Sequence, residues 1–256
     1  MIAKTLAAAL LALGIAFTAT PAAAQENMPL SPKQVDAVKK VVRDYLMEHP
    51  EVLGEALEAL REKMRAQAEA DAQRMMEARK DEILKSPDDP VAGNPKGDVT
   101  VVEFFDYNCG FCKQTFDAMW DAVKADGKTR VVLKEYPILG PDSVIASRVA
   151  LVAKAQSQAK YDEIHRSFMK FRGRLDEKTI FRLAGEAGFN VEQLKKDINA
   201  ADIDRQLKKT SDLAHTLDIG GTPTFIVGDR ILASALDQST LKQLIDVARK
   251  AAPNKG

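Results

Sequence analysis

Residues 99–113 read Val99-Thr100-Val101-Val102-Glu103-Phe104-Phe105-Asp106-Tyr107-Asn108-Cys109-Gly110-Phe111-Cys112-Lys113. The stretch from Val99 to Phe105 is rich in β-branched and aromatic residues and apolar on both faces, the pattern of a central strand. A helix is predicted from about Cys109 to Ala125, closed by Asp126-Gly127, and Thr129 to Tyr136 reads as a second strand. Strand, helix and strand in this order predict a parallel pair in an α/β sheet.

Cys109 and Cys112 are the two cysteines of the 256-residue chain. Residues three apart on a helix share a face, so their sulfurs come within the range a disulfide requires. A bridge over so short a loop stabilises little, because loop-entropy stabilisation grows with loop length. The pair therefore reads as chemistry rather than as a staple. The reactive form of cysteine is the thiolate, and a helix N-terminus favours negative charge. Cys109, at the helix start, is expected to be the exposed nucleophile with a lowered pKa, and Cys112, one turn deeper, the resolving thiol.

Glu103 interrupts the apolar strand six residues before Cys109. If buried, its carboxyl has a raised pKa and exchanges a proton with Cys112; the alternative is an exposed or edge glutamate. A structural zinc site needs four ligands, whereas His49, His165 and His215 are scattered and read as ordinary surface or core residues. No metal ligand set is assigned. Cu(I), which suits soft thiolates, is the minority alternative. Gly220-Gly221-Thr222-Pro223 precedes a late strand, where proline fits the first position or a special loop.

Around this centre, Asp142 to Leu217 is helical in pattern, broken at Gly173 and Gly188. Thr224–Val227 and Arg230–Ala233 read as a hairpin about Gly228-Asp229, and Ser239–Ala251 as a closing amphipathic helix. Breaker residues crowd residues 86–98, and a domain start is placed near residue 90. Before it, Ser31-Pro32 starts a helix carrying Val35, Val38, Val42 and Tyr45 on one stripe, and His49-Pro50 interrupts it. A second helix is predicted from Glu51 to about Leu84, with Leu53, Leu57, Leu60 and Met64 as a short heptad-like seam. About 60 residues with one thin stripe per helix are marginal alone. The seam needs a partner, the rest of the chain or another copy, and self-association is favoured.

At the start of the sequence, Lys4, an apolar run from Leu6 to Phe17 and Thr20-Pro21-Ala22-Ala23-Ala24 have the layout of a secretory signal peptide over residues 1–24. The alternative is a membrane anchor, which needs about 20 apolar residues. Export places the cysteines in an oxidising compartment, the periplasm of a Gram-negative cell. Lysine plus arginine and aspartate plus glutamate number 37 each, so no basic excess points to nucleic acid.

The residues Glu103-Phe104-Phe105-Asp106-Tyr107, Cys109-Gly110-Phe111-Cys112-Lys113 and Gly221-Thr222-Pro223, separated by a helical insertion, resemble the bacterial DsbA-like family over about residues 90–256. The resemblance implies a thioredoxin-like α/β fold with a helical domain inserted near residues 140–218, preceded by an N-terminal α-helical oligomerisation segment over residues 25–89. It implies a cis Thr222-Pro223 bond against the cysteine pair, in a loop that contacts substrate backbone beside Gly110 and Phe111. It also implies that Glu103 is the buried acid beneath the site. The N-terminal helices look like the oligomerising segment of the suppressor-of-copper-sensitivity (ScsC) branch, whose examples include trimers with isomerase activity. Gly110-Phe111 departs from the Pro-His of strongly oxidising members and lies nearer the Gly-Tyr of an isomerase. Implied in turn are a redox-active disulfide without a cofactor, disulfide-containing or misfolded exported clients, a membrane reductase of the ScsB/DsbD type as partner, a homotrimer, and a link to copper tolerance. The expected activity is oligomeric disulfide isomerase or reductase. The alternatives are a dithiol oxidase, a Cu(I)-binding or relay protein, and a holdase-like module.

Overall fold

The computed structural model describes residues 30–251. The expected signal peptide, residues 1–24, lies outside them. The chain forms two compact units, divided between Glu62 and Lys63.

The first unit holds α1 (Pro32–Glu48) and the start of α2 (Glu51–Ala78). Ser31 caps α1: its side chain accepts from the Gln34 N–H, while the Gln34 side chain returns to the Ser31 N–H. This reciprocal pair satisfies two donors that a helix start leaves free. Pro50 stands between the helices as predicted. No residue of α1 is buried. Val38, Val41, Val42, Tyr45, Leu53, Leu57 and Leu60 are all half or more exposed.

The second unit is built on a five-stranded sheet of order β1-β3-β2-β4-β5, formed by β1 (Val91–Gly93), β2 (Val99–Phe105), β3 (Thr129–Glu135), β4 (Thr224–Val227) and β5 (Arg230–Leu232). β2 and β3 are parallel, with Val99 opposite Thr129 and Phe105 opposite Glu135. β1 and β4 flank them antiparallel, and β4 and β5 form the predicted hairpin. Between β2 and β3 runs α4 (Gly110–Asp126), ended by Gly127 in the left-handed conformation at φ 65°. The helices α5 (Pro141–Gln156), α6 (Gln158–Lys170), α7 (Glu177–Glu186), α8 (Val191–Asp197) and α9 (Ala201–Thr216) lie between β3 and β4 in sequence, and α10 (Gln238–Ala251) closes the unit.

Alternation along β2 assigns the two cores. Val99, Val101 and Phe105 pack with Phe116, Met119, Val149, Phe168 and Leu241 in the larger one. Val102 and Phe104 point the other way and pack with Leu213, Leu217, Ile226, Met76 and Ile83. Side chains of period two on a strand buried on both faces require this division.

Three features differ from the sequence reading. The helix predicted to run to Leu84 breaks at Arg79 and resumes as α3 (Lys80–Leu84), although neither proline nor glycine marks the break. β1 sits inside the stretch read as a breaker-rich boundary. Its three residues are too few to show a period; Gly93, at φ 67°, leaves the edge where a Cβ would stand 2.6 Å from the Thr129 carbonyl oxygen. The packed unit also begins before residue 90, because Met76 and Ile83 are buried against the sheet. Asp89 and Lys134 form a buried ion pair, and the Lys134 ammonium also donates to the Glu82 carbonyl oxygen at 2.6 Å.

Candidate active site

The loop Asp106-Tyr107-Asn108 carries the chain from the end of β2 to the start of α4. Asp106 is fully buried. One carboxylate oxygen accepts from the Asn108 N–H at 2.7 Å, the other from the Leu139 N–H at 2.9 Å. The loop is thus tied to the segment after β3. Asn108 ties it to a third segment. Its amide nitrogen donates to the Leu175 carbonyl at 3.1 Å, and its amide oxygen accepts from the Leu175 N–H at 2.7 Å.

Cys109 is the N-cap residue of α4, with φ −75° and ψ 115°. Its sulfur accepts from the Cys112 N–H at 3.3 Å and, as the thiol, donates to the Thr222 carbonyl oxygen at 3.2 Å. An N-cap acceptor satisfies a free donor of the first turn. Here the acceptor is a sulfur that gains most when negatively charged. The Cys109 thiol is held down to about 6, first by the hydrogen bond from Cys112, then by Thr222 and the backbone N–H groups of Cys112 and Phe111, against the opposing effect of burial. The sulfur is less open than expected, because Cys109 is only 5% exposed. The neighbouring Phe111 ring, 63% exposed, is the open side chain of the motif.

Cys112 is fully buried. Burial pushes its thiol far above the ordinary range, reinforced by its hydrogen bond to Cys109 and by the charge of Glu103. Adjacent thiols of one motif are therefore driven in opposite directions, a pattern that marks functional sites.

Glu103 lies on β2, buried at 2% exposure. Its position alternates with Val102 and Phe104, so it faces the core that holds Cys112. One of its oxygens has no hydrogen-bond partner. Burial first, then the negative charges of Cys109 and Glu135, raise its carboxyl to about 8. The buried alternative for this residue is the one the fold adopts. Thr222-Pro223 is a cis bond, and Thr222 contacts the Cys109 sulfur as stated. Gly110 has open space where a Cβ would stand.

Sequence reasoning missed a second buried group. Glu135, at the end of β3, accepts from the hydroxyls of Tyr107 and Tyr161, each at 2.8 Å. Tyr107 lies 3.0 Å from His165 Nδ1. Since Tyr107 gives its one proton to Glu135, His165 carries its proton on Nδ1 and donates it to the tyrosine oxygen. His165 stacks on Tyr161 at 5.5 Å, and burial pushes it down to about 3, so the imidazole is neutral. Burial raises Glu135 to about 8. His165 is thus a core residue, one of the two readings offered for it, but one inside a polar network. No periodicity signals this network, because its members come from the loop after β2, from β3 and from α6.

The fold and this pair of thiols define a thioredoxin-fold dithiol protein. The DsbA-like thioredoxin domain model matches residues 100–246, and the model of the copper resistance protein ScsC N-terminal domain matches residues 34–67. The chain belongs to the DsbA-like family and carries an ScsC-type N-terminal segment; it is a thiol-disulfide oxidoreductase of this type. A thioredoxin-like oxidoreductase from Silicibacter pomeroyi DSS-3 is similar at 41% identity, covering 68% of this chain and 99% of that one, with a TM-score of 0.65. A linker-deletion mutant of Proteus mirabilis ScsC is similar at 25% identity, covering 87% and 98%, with a TM-score of 0.66. The probable disulfide bond formation protein D of Bacillus anthracis is 28% identical over 165 residues, 60% of this chain and 75% of that protein. The chain spans 27% of the length of the Mycobacterium Na(+)/H(+) antiporters NhaA 1 that it also matches, at 25% identity. Two cysteines exchange both electrons of a disulfide themselves, so DsbA-like chemistry needs no cofactor. Among the described residues no group of three or more His, Cys, Asp or Glu is placed to hold a metal. Among them, too, no helix is long and apolar enough to cross a membrane.

Proposed function

We propose that this chain is a periplasmic, homotrimeric disulfide isomerase and reductase, exported by cleavage of residues 1–24, with the helical segment before Met76, the first residue buried against the sheet, as its stalk. The observation that carries the reading is the combination of a stabilised Cys109 thiolate with the exposed apolar stripes of α1 and α2. Unpartnered stripes of this kind bury themselves against further copies, and several copies bring several thiolates to one misfolded client.

In the proposed cycle the Cys109 thiolate attacks a client disulfide. A bond forms to one client sulfur, and the other leaves as thiolate. Isomerisation follows when that client thiolate, or another, attacks elsewhere and returns Cys109 unchanged, with no net electrons transferred. In the mixed disulfide Cys109 no longer carries the negative charge that helps hold Glu103 protonated; reduction follows when Glu103, ionised in that state, takes the Cys112 proton and Cys112 attacks the Cys109 sulfur. The client then leaves with two thiols, and the pair is left as a disulfide. A membrane reductase of the ScsB/DsbD type returns two electrons to it. Thr222 and Pro223, with Gly110 and Phe111, hold the client backbone beside the sulfur. The test is recovery of a scrambled multi-disulfide enzyme by the reduced protein. Recovery well above the glutathione background supports the reading. No recovery from a preparation whose thiols titrate as reactive removes it.

A second reading, the dithiol oxidase, is favoured by one observation. Stabilising the Cys109 thiolate stabilises the reduced state, which makes the disulfide form more oxidising. A reduction potential near that of strong oxidants, with no shuffling activity, would select it.

A further inference from the structure

A groove opens beside the candidate nucleophile. Gly110 and Lys113 form one wall, Phe171, Arg172 and Arg174 the other, and Leu139 an end. None of the Thr222 loop lines it, and Gly110 is the one residue it shares with the place assigned to the client backbone, so the groove adjoins that place without coinciding with it. Its far wall is held to the cysteine loop by the paired hydrogen bonds of Asn108 with Leu175, which fix the segment after α6 against the residue preceding Cys109.

The charges of this groove are one-sided. Lys113 bonds the Gly173 carbonyl oxygen at 2.7 Å and lies over the Phe171 ring at 5.7 Å. Burial lowers its pKa, and the positive charge of Arg172 adds to that. Arg174 pairs with Asp142 at 3.2 Å, the carboxylate on the rim. The Asp106 carboxylate, beneath, already accepts two N–H groups. Lys170 next along the chain is paired with Asp117. Arg172 is exposed and has no ion-pair partner among the described residues. Three cations thus stand against two carboxylates, Asp142 on the rim and Asp106 beneath, in a groove otherwise lined by Leu139, Phe171, glycine and the amides of Asn108 and Gln114, and a bare guanidinium selects carboxylates.

We propose that this groove is a specificity site for acidic client segments, binding carboxylate side chains that flank the client cysteine through Arg172, Arg174 and Lys113. The proposal rests on the exchange reading above. It adds that clients with Asp or Glu beside their cysteine, and an apolar residue to lie on Phe171 and Leu139, are captured first.

The test uses the full reduced protein and disulfide-linked peptide dimers that differ only in residues flanking the cysteine: Asp/Glu, Ser/Asn or Lys. The mixed-disulfide formation rate with each is divided by the rate of 2-mercaptoethanol with the same peptide, which removes the peptide's own reactivity. The acidic peptide is expected to lead the neutral one by about threefold to tenfold, as two exposed ion pairs allow, with the lysine peptide slowest. The lead shrinks at 0.5 M salt and in an Arg172→Gln/Arg174→Gln protein. Equal normalised rates for the three peptides overturn the groove proposal while leaving thiol exchange intact. A lead that survives both high salt and the double substitution overturns it too. No exchange with any peptide, from thiols that titrate as reactive, overturns the exchange reading and the groove with it.

Discussion

The Tyr107 hydroxyl donates to Glu135 Oε1 at 2.8 Å, joining the loop that carries Cys109 to the end of β3. Tyr161 donates to the same oxygen, so one carboxyl satisfies two buried hydroxyls. With its pKa raised to about 8, Glu135 is a neutral acid at pH 7, and glutamine is its close substitute. Glu135→Gln is expected to keep stability within about 1 kcal/mol, whereas Glu135→Leu strands both hydroxyls and costs about 2–4 kcal/mol. The sign with pH follows from the raised value. An acid that is harder to ionise in the folded state costs stability as pH climbs from its unfolded value near 4.5 to about 8. The native protein therefore loses ground to Glu135→Gln across that window. Denaturant melts at pH 5, 7 and 9 check both statements, and a parallel pair of curves would refute the second.

The Cys109 sulfur is expected to titrate near 6. Iodoacetamide labelling of the reduced protein should follow a single midpoint there and stop at Cys109, since Cys112 is fully buried with its thiol pushed up. Faster labelling of Cys112 would reverse the assigned roles. The same shift acts on stability. A thiol whose folded pKa lies below its unfolded value near 9 stabilises the fold fully above pH 9 and not at all well below pH 6. The reduced protein should gain on Cys109→Ser as pH rises from about 6 to about 9.

Glu103 is raised to about 8 partly by the negative charge of Cys109. Oxidation removes that charge, so Glu103 should release its proton at lower pH in the disulfide form than in the dithiol form. Difference infrared spectra of the two forms, titrated from pH 5 to 9, would resolve the carboxyl band. In Glu103→Gln the Cys112 step should slow by about 10-fold or more, the low end of general-base effects, while the initial attack by Cys109 keeps its rate. Slowing of both steps alike would assign Glu103 a structural part only.

Much of this site was legible because its key residues lie in one run. The strand residues Val99 to Phe105 and the cysteines of α4 are contiguous, so periodicity and cap position locate them together. The α1 cap was equally readable, since Ser31, Pro32 and Gln34 act within one turn. Glu103 could be placed on the strand but not inside or outside, because burial depends on α4 and α10 covering that face. The Tyr107–Glu135–Tyr161–His165 network and the Asn108–Leu175 clamp escaped the sequence. Each joins residues 26 to 67 positions apart, and no local pattern encodes such a meeting. β1 escaped for a related cause, because its pairing with β3 is set by Gly93 and by the buried Asp89–Lys134 pair rather than by its own three residues.

The Asp89–Lys134 pair lends itself to the sharpest stability test. Both side chains are nearly inaccessible, and Lys134 sits on the same sheet face as Val132 and Phe104. Removing one partner leaves the other charge buried and unpaired, which costs about 3–5 kcal/mol. Asp89→Ala should therefore lower stability by that amount. Replacing both, as Asp89→Ala with Lys134→Met, removes the stranded charge and should recover most of the loss, even though the Glu82 carbonyl oxygen then lacks its 2.6 Å donor. Urea melts of the native, single and double forms make the comparison. If the double substitution were as unstable as Asp89→Ala, the cost would lie in the lost geometry of residues 82–93 rather than in an unpaired charge, and the pair would be the fastening of β1 to the sheet.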